Sequence, residues 1–272
     1  MNASGHVDLD EYFRRVGWKG PVTPTYGTLA GILHAHVTRI PFENLDVLLG
    51  RPVRLDVASV HDKLVRRGRG GYCFEHVTLL AAVLEQLRFA VVRHTARVTR
   101  VVPRTEAPRT HVLLTVSLPE GVFVVDPGFG GHAPRVPLPL VEGAAAECGE
   151  DTHWMEHEDG HWQLRARADG STMRCWATTI ETDNLVDFEV GNHYTATHPD
   201  SPFVQRLMMH AYTSSGRTSV MNRDVREWRD GVAYPRRLAT RHELRELVAQ
   251  IVGVDMPEIE TLRVPTVPEW AA

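Results

Sequence analysis

Apolar residues recur at three- and four-residue intervals after position 73, at Val77, Leu80, Ala81, Leu84 and Leu87, with few β-branched neighbours. That period lays a stripe along one face, so residues 74–88 are predicted to form an amphipathic helix. The same reading, punctuated by Pro21, Pro24, Pro41 and Pro52, gives shorter helices over 10–16, 28–38 and 57–67. From Phe89 to about Val190 the pattern becomes β: strands are expected over 91–102, 111–118 and 121–126, and arms at 154–157 and 161–167 flank the hairpin turn Asp159-Gly160. Strands are also expected over 207–213 and 219–223, with a turn at Asp230-Gly231. Thr240-Arg-His-Glu243 is a capping-box pattern ahead of Leu244, Leu247, Val248 and Ile251, opening a helix of about three turns. The expected class is α+β, helical first, then a barrel or curled sheet, then mixed α/β.

The stretch Arg66-Arg-Gly-Arg-Gly-Gly-Tyr-Cys-Phe-Glu-His76 puts Cys73 between a glycine-rich turn and the first helical residues. Unpaired N–H groups and the positive end of the macrodipole favour a thiolate there, and the thiolate is the nucleophile. Gly70 and Gly71 are expected to let the chain turn tightly and to leave room for a substrate. A free cysteine can equally be a small buried hydrophobe, so a base and an orienting group are needed. Residues 110–126 supply candidates for both. If Pro119-Glu120 is a two-residue loop pairing Leu118 with Gly121, His111 and Asp126 share a face one diagonal step apart; a three-residue loop would separate them. Cys73, His111 and Asp126 then make a nucleophile, base and orienter.

Ile40-Pro-Phe-Glu-Asn-Leu45, Arg69-Gly-Gly-Tyr-Cys-Phe-Glu75, Thr110-His111, Val125-Asp-Pro-Gly-Phe-Gly130 and Thr197-His-Pro-Asp-Ser-Pro-Phe203 occur in that order. Together they make the chain resemble the arylamine N-acetyltransferases over nearly its whole length. The resemblance implies a helical bundle (1–89) carrying the cysteine, a β-barrel (90–195) carrying the histidine and aspartate, an α/β lid (196–272), and a cysteine-protease-like Cys-His-Asp core. It implies acetyl transfer from acetyl-CoA to arylamines, arylhydrazines and hydrazides by ping-pong through an acetyl-cysteine. Phe42, Phe129 and Phe203 would line the acceptor pocket, and Thr110, Phe129 and Gly130 would border CoA. Two departures, His76-Val77 for leucine-asparagine and Pro127 for valine, bear on acceptor preference. Two rivals keep the triad: an amide synthase closing a polyketide macrolactam, and a transglutaminase-like cysteine hydrolase.

At 272 residues, 43% of them hydrophobic, the chain can bury a large core. A net charge of −4 and short arginine runs give no reason to expect nucleic acid or a membrane as partner. Cys73, Cys148 and Cys175 form an odd, sparse set without CxxC spacing, which fits a reducing compartment, and the cytoplasm is expected. His153, His157 and His161 have helical metal-ligand spacing, but Asp159-Gly160 argues for a hairpin, and no metal is expected. Glu75 could pair with an arginine or favour the helix N-terminus, and Arg69 could hold the loop or be solvated. Acetyl-CoA is expected as a substrate, with no tightly bound cofactor, in a monomer or homodimer.

Overall fold

A computed structural model of the chain describes residues 5–149, 151–168, 170–213, 216–267 and 270. Its helices are α1 (Leu9–Val16), α2 (Tyr26–Arg39), α3 (Leu45–Leu48), α4 (Val57–His61), α5 (Cys73–Gln86), α6 (Leu185–Thr197), α7 (Pro202–Gln205) and α8 (Arg241–Val252). A short β1 (Phe42–Glu43) lies among them. Strands β2 (Ala90–Val98), β3 (Arg109–Leu118), β4 (Gly121–Val125), β5 (Leu138–Pro139), β6 (Ala145–Cys148), β7 (Asp151–Glu158), β8 (His161–Ala168) and β9 (Ser171–Thr178) form one antiparallel sheet in the order β5-β4-β3-β2-β9-β8-β7-β6. After β5 the chain turns back onto β7, where the Gly143 N–H donates to the Met155 carbonyl at 2.8 Å, so this sheet nearly closes into a barrel. Strands β10 (Met208–Thr213), β11 (Gly216–Met221), β12 (Asp224–Arg229) and β13 (Val232–Arg237) form a second sheet, and β1 pairs with the edge of β10.

Strand β3 is the shared wall. Its even positions, Val112, Leu114 and Val116, join the apolar cluster of α1, α2 and α5, while Leu113 faces the barrel cluster with Val124, Met155, Leu164 and Trp176. That alternation follows from the pleat. A third cluster, including Met209, Leu244, Val248 and Trp270, sits under the C-terminal sheet. No helix among the described residues is long and apolar enough to cross a membrane.

The predicted helix after position 73 forms, but it is not a surface helix. Every residue from Cys73 to Leu84 is buried, because α4 packs on one side of α5 and β2 and β3 on the other. A helix enclosed in this way is held mainly by burial, at roughly 1.5–3 kcal/mol for each fully enclosed valine or leucine. Three other expectations are corrected. The helix over 57–67 changes to a π-helical stretch at Asp62–Arg66. The β pattern does not run to Val190: Leu185–Thr197 is helical, with Asn184 as N-cap and the Asp187 carboxylate accepting the Asn184 N–H at 2.8 Å. Val186 and Val190 are exposed on that helix. The strand placed over 219–223 ends at Met221, where Asn222 takes a left-handed turn at φ 58°.

Enclosing α5 also buries its polar residues, and each needs a partner. Glu75 bonds back to the Tyr72 N–H at 3.1 Å and pairs with Lys63 at 2.7 Å, not with an arginine. Lys63 also meets Asp46 at 2.7 Å, and Asp46 meets Arg69 at 3.2 Å. Arg69 is buried, not solvated, and its other partner is Glu43 at 2.8 Å. Burial pushes Glu75 up to about 7 against the pull of Lys63. Burial works to lower Lys63 too, but the carboxylates of Glu75, Glu43 and Asp46 overcome it and leave the ammonium raised. Removing one partner from such a network leaves a buried charge uncompensated. Lys63→Met is expected to lower stability by about 3–5 kcal/mol in urea unfolding, and Lys63→Met/Glu75→Gln to recover most of that loss. A single variant within experimental error of wild type would contradict the network's role.

Candidate active site

Cys73 is the first residue of α5, and its sulfur lies against the edge of β3 that β4 leaves unpaired. The β3–β4 hairpin does use the two-residue loop, pairing Leu118 with Gly121 and continuing to Leu114 opposite Val125. Beyond Val125 the ladder stops. The backbone groups that β4 would have met there turn to Cys73 instead: the thiol donates to the Thr110 carbonyl at 3.8 Å, and the Val112 N–H is directed at the sulfur. The peptide groups on both sides of His111 therefore touch the cysteine.

The short loop also brings His111 and Asp126 together. His111 Nε2–H donates to Asp126 Oδ2 at 2.8 Å, which leaves Nδ1 as the basic nitrogen of a neutral ring. Asp126 is fully buried and has two further donors: the Trp176 indole N–H reaches Oδ2 at 2.8 Å, and the Gly128 N–H reaches Oδ1 at 3.1 Å. Trp176 escapes sequence reasoning, since it stands 50 residues away on β9 with no motif around it. A buried carboxylate needs several donors, and a neutral indole supplies one without adding charge.

Gly128 presses this loop onto the nucleophile. A Cβ there would lie 2.6 Å from the Cys73 Cα, closer than any side chain permits. The glycines before Cys73 serve a similar end. A Cβ on Gly70 would lie 2.3 Å from the Pro41 carbonyl oxygen, and one on Gly71 would lie 2.6 Å from the Glu75 carboxylate. Their missing side chains make room for the protein's own atoms and not, as expected from sequence, for a substrate.

The helix N-terminus does not by itself ionise the thiol. Burial pushes Cys73 well above the ordinary thiol range, the Asp126 charge adds to this, and the Phe74 and Val112 N–H groups pull the other way without prevailing. Losing its proton requires an acceptor that becomes positive nearby, and His111 is the residue whose two flanking peptide groups meet the sulfur.

The three phenylalanines lie half-buried around this centre. Phe129 stands edge-on to the His111 ring at 5.1 Å, and Phe42 stands edge-on to Phe203 at 6.2 Å. Gly130, in the left-handed region at φ 61°, would meet the Phe42 ring at 3.4 Å if it carried a Cβ. Thr110 and Phe203 also line a cavity of about 480 Å³ with Val98, Tyr194 and Pro202. A larger groove of about 770 Å³, between residues 47–56 and α6, includes none of the candidate catalytic, acceptor or CoA residues. His153 and His157 lie on β7 and His161 on β8, across the expected hairpin. Among the described residues no group of three or more histidine, cysteine or acidic side chains could hold a metal.

Comparison with known proteins gives a consistent outcome. A family model described as N-acetyltransferase matches residues 25–261. The arylamine N-acetyltransferase of Mycobacterium tuberculosis H37Rv is 36% identical over 258 residues, 93% of this chain and 91% of its own. The solved structure of arylamine N-acetyltransferase from M. tuberculosis superposes with a TM-score of 0.87, covering 93% of this chain and 95% of that one at 36% identity. That of Mycobacterium marinum arylamine N-acetyltransferase in complex with CoA gives 0.87 at 32% identity, covering 93% and 94%.

Trp176→Phe keeps the ring in the barrel but removes a donor from a buried carboxylate. It is expected to cost about 1–3 kcal/mol of stability in urea unfolding and to slow alkylation of Cys73. Unchanged stability and alkylation would show that Asp126 does not need the indole.

Proposed function

We propose, from the premise that the chain belongs to the arylamine N-acetyltransferase family, that it moves an acetyl group from acetyl-CoA to arylamines, arylhydrazines and hydrazides through a covalent acetyl-cysteine at Cys73. The observation that carries the reading is Asp126 holding His111 while the peptide groups on both sides of His111 contact the Cys73 sulfur.

In the first half-reaction the Cys73 proton passes to His111 Nδ1. The thiolate attacks the thioester carbonyl, the bond from acyl carbon to the CoA sulfur breaks, and the imidazolium returns its proton to the departing CoA thiolate. In the second, an amine attacks the acetyl-cysteine, His111 takes the amine proton, and the Cys73 sulfur leaves. Asp126 keeps the Nε2–H tautomer and stabilises the imidazolium at each turn. Backbone N–H groups around Cys73 stabilise the oxyanion. This is a cysteine-protease-like arrangement applied to acyl exchange.

Phe42, Phe129 and Phe203 form an apolar slot suited to a flat aromatic amine, and Thr110, Phe129 and Gly130 border the pantetheine arm. The relative solved with CoA supports acetyl-CoA as the acyl donor, and no tightly bound cofactor is needed. The proposed division is a helical part (1–89), a barrel (90–195) and an α/β lid (196–272) that shields the acyl-enzyme from water; it is supported by the third apolar cluster, whose buried residues, Leu45 apart, all lie between Leu207 and Trp270. The cytoplasm supplies acetyl-CoA and keeps the free thiol reduced, so it is the proposed location, with the protein a monomer or homodimer. No observation favours the macrolactam-forming or hydrolase readings.

Incubation with acetyl-CoA and no amine should add one acetyl group, mapped to Cys73 by intact-protein and peptide mass spectrometry. Adding an arylamine should remove it, and steady-state kinetics should give parallel double-reciprocal lines. Intersecting lines with no adduct would replace the covalent intermediate with direct transfer.

A further inference from the structure

Behind Phe42 runs a chain of buried polar groups that the proposed chemistry does not use. Tyr12, fully buried on α1, bonds through its hydroxyl to His36 Nδ1 at 3.0 Å. His36 Nε2 bonds to His76 Nδ1 at 2.9 Å, and His76 Nε2 bonds to the Pro41 carbonyl at 3.2 Å. Both histidines are buried, and burial holds both below the ordinary range, His76 down to about 4 and His36 further aided by its neighbour His76. Both rings are therefore neutral near pH 7, each with one donor and one acceptor.

The far end fixes the direction of every bond. A carbonyl can only accept, so His76 carries its proton on Nε2 and accepts on Nδ1. His36 must then donate from Nε2 and accept on Nδ1, so the Tyr12 hydroxyl is the donor. The reverse order would set a bare ring nitrogen against the Pro41 oxygen.

That oxygen belongs to the peptide that precedes Phe42. It also accepts the Gly71 N–H at 3.2 Å, and the Glu43 N–H donates to the Gly71 carbonyl at 2.8 Å, which ties Pro41–Phe42–Glu43 to the loop before Cys73. The Phe42 ring lies nearly parallel to the His76 imidazole, with 6.5 Å between centroids and 15° between planes. His76 thus bonds to the peptide that precedes Phe42 and lies nearly parallel to its ring.

The geometry points to Tyr12, His36 and His76 as a directional hydrogen-bond relay that positions Phe42 beside the loop before Cys73 and so sets acceptor recognition. The relay rests on the acetyl-transfer reading for its effect on amines. Its three members are positioning residues, since none is placed against a reacting atom.

Selective ¹⁵N-histidine labelling of the wild-type protein tests the direction without mutation: His36 and His76 should both appear as Nε2–H tautomers, and an Nδ1–H tautomer on His76 would overturn the relay. Tyr12→Phe removes only the first donor and preserves the ring. It should raise the amine KM on the order of threefold to tenfold, the effect of one buried hydrogen bond, and leave the rate of acetyl-Cys73 formation unchanged. His76→Leu should act in the same direction, and His76→Gln, whose amide can still donate to Pro41, should restore most of the loss. An unchanged amine KM in both Tyr12→Phe and His76→Leu, or equal slowing of both half-reactions, would reduce these residues to ordinary packing. If the wild type formed no acetyl-Cys73, the functional reading would fail, whereas the tautomers would still decide the relay.

Discussion

A carboxylate without access to water dictates much of the architecture around the site. Asp126 can remain charged only if its oxygens are bonded, and the three donors come from three places: the imidazole of β3, the indole of β9 and the backbone of the loop after β4. A charge-assisted hydrogen bond contributes about 1.5–3 kcal/mol, so the set offsets a desolvation penalty of several kcal/mol. Satisfying Asp126 fixes the ring plane of His111 and folds Gly128 back onto Cys73. The barrel brings β3 and β9 close enough for this to occur, which is how a fold-level feature becomes a site-level one.

The second organising fact is the burial of α5. A thiol at the start of a surface helix would be exposed to oxidants and water, whereas Cys73 is 2% exposed. That protection has an electrostatic cost, since burial opposes the thiolate. It also forces Glu75 and His76 to find partners inside the protein. One joins the network of Lys63, Asp46, Arg69 and Glu43, and the other joins the chain to Tyr12. Both networks reach the Pro41–Glu43 segment, which is bonded to Gly71 in the loop before Cys73.

Much of this was legible in the sequence where the determining contacts are local. Periodicity located α5, and the Pro119-Glu120 loop set the parity that puts His111 and Asp126 on one face. Asp159-Gly160 correctly marked a hairpin rather than a helical histidine stripe. Nonlocal pairings were not legible. Nothing near Trp176 signals an aspartate 50 residues earlier, and the two residues of β1 carry no strand pattern until β10 stands beside them. The end of the β region was not legible either, because β-branched Val186 and Val190 sit on the exposed face of α6. Lys63 escapes sequence reasoning as the partner of Glu75 because the pair joins two separate elements 12 residues apart.

Burial and catalysis thus pull Cys73 in opposite directions, and the account holds that the Asp126-supported imidazole decides the outcome by taking the proton and remaining beside the sulfur as a cation. The rate of Cys73 alkylation against pH measures this directly. In the wild type, alkylation should persist well below the ordinary thiol range of about 8.5, and in Asp126→Asn it should shift upward beyond that range, with the fold intact by circular dichroism. Superimposable profiles that rise only at or above the ordinary thiol range would contradict the account, because they would show a buried thiol that His111 and Asp126 do not activate.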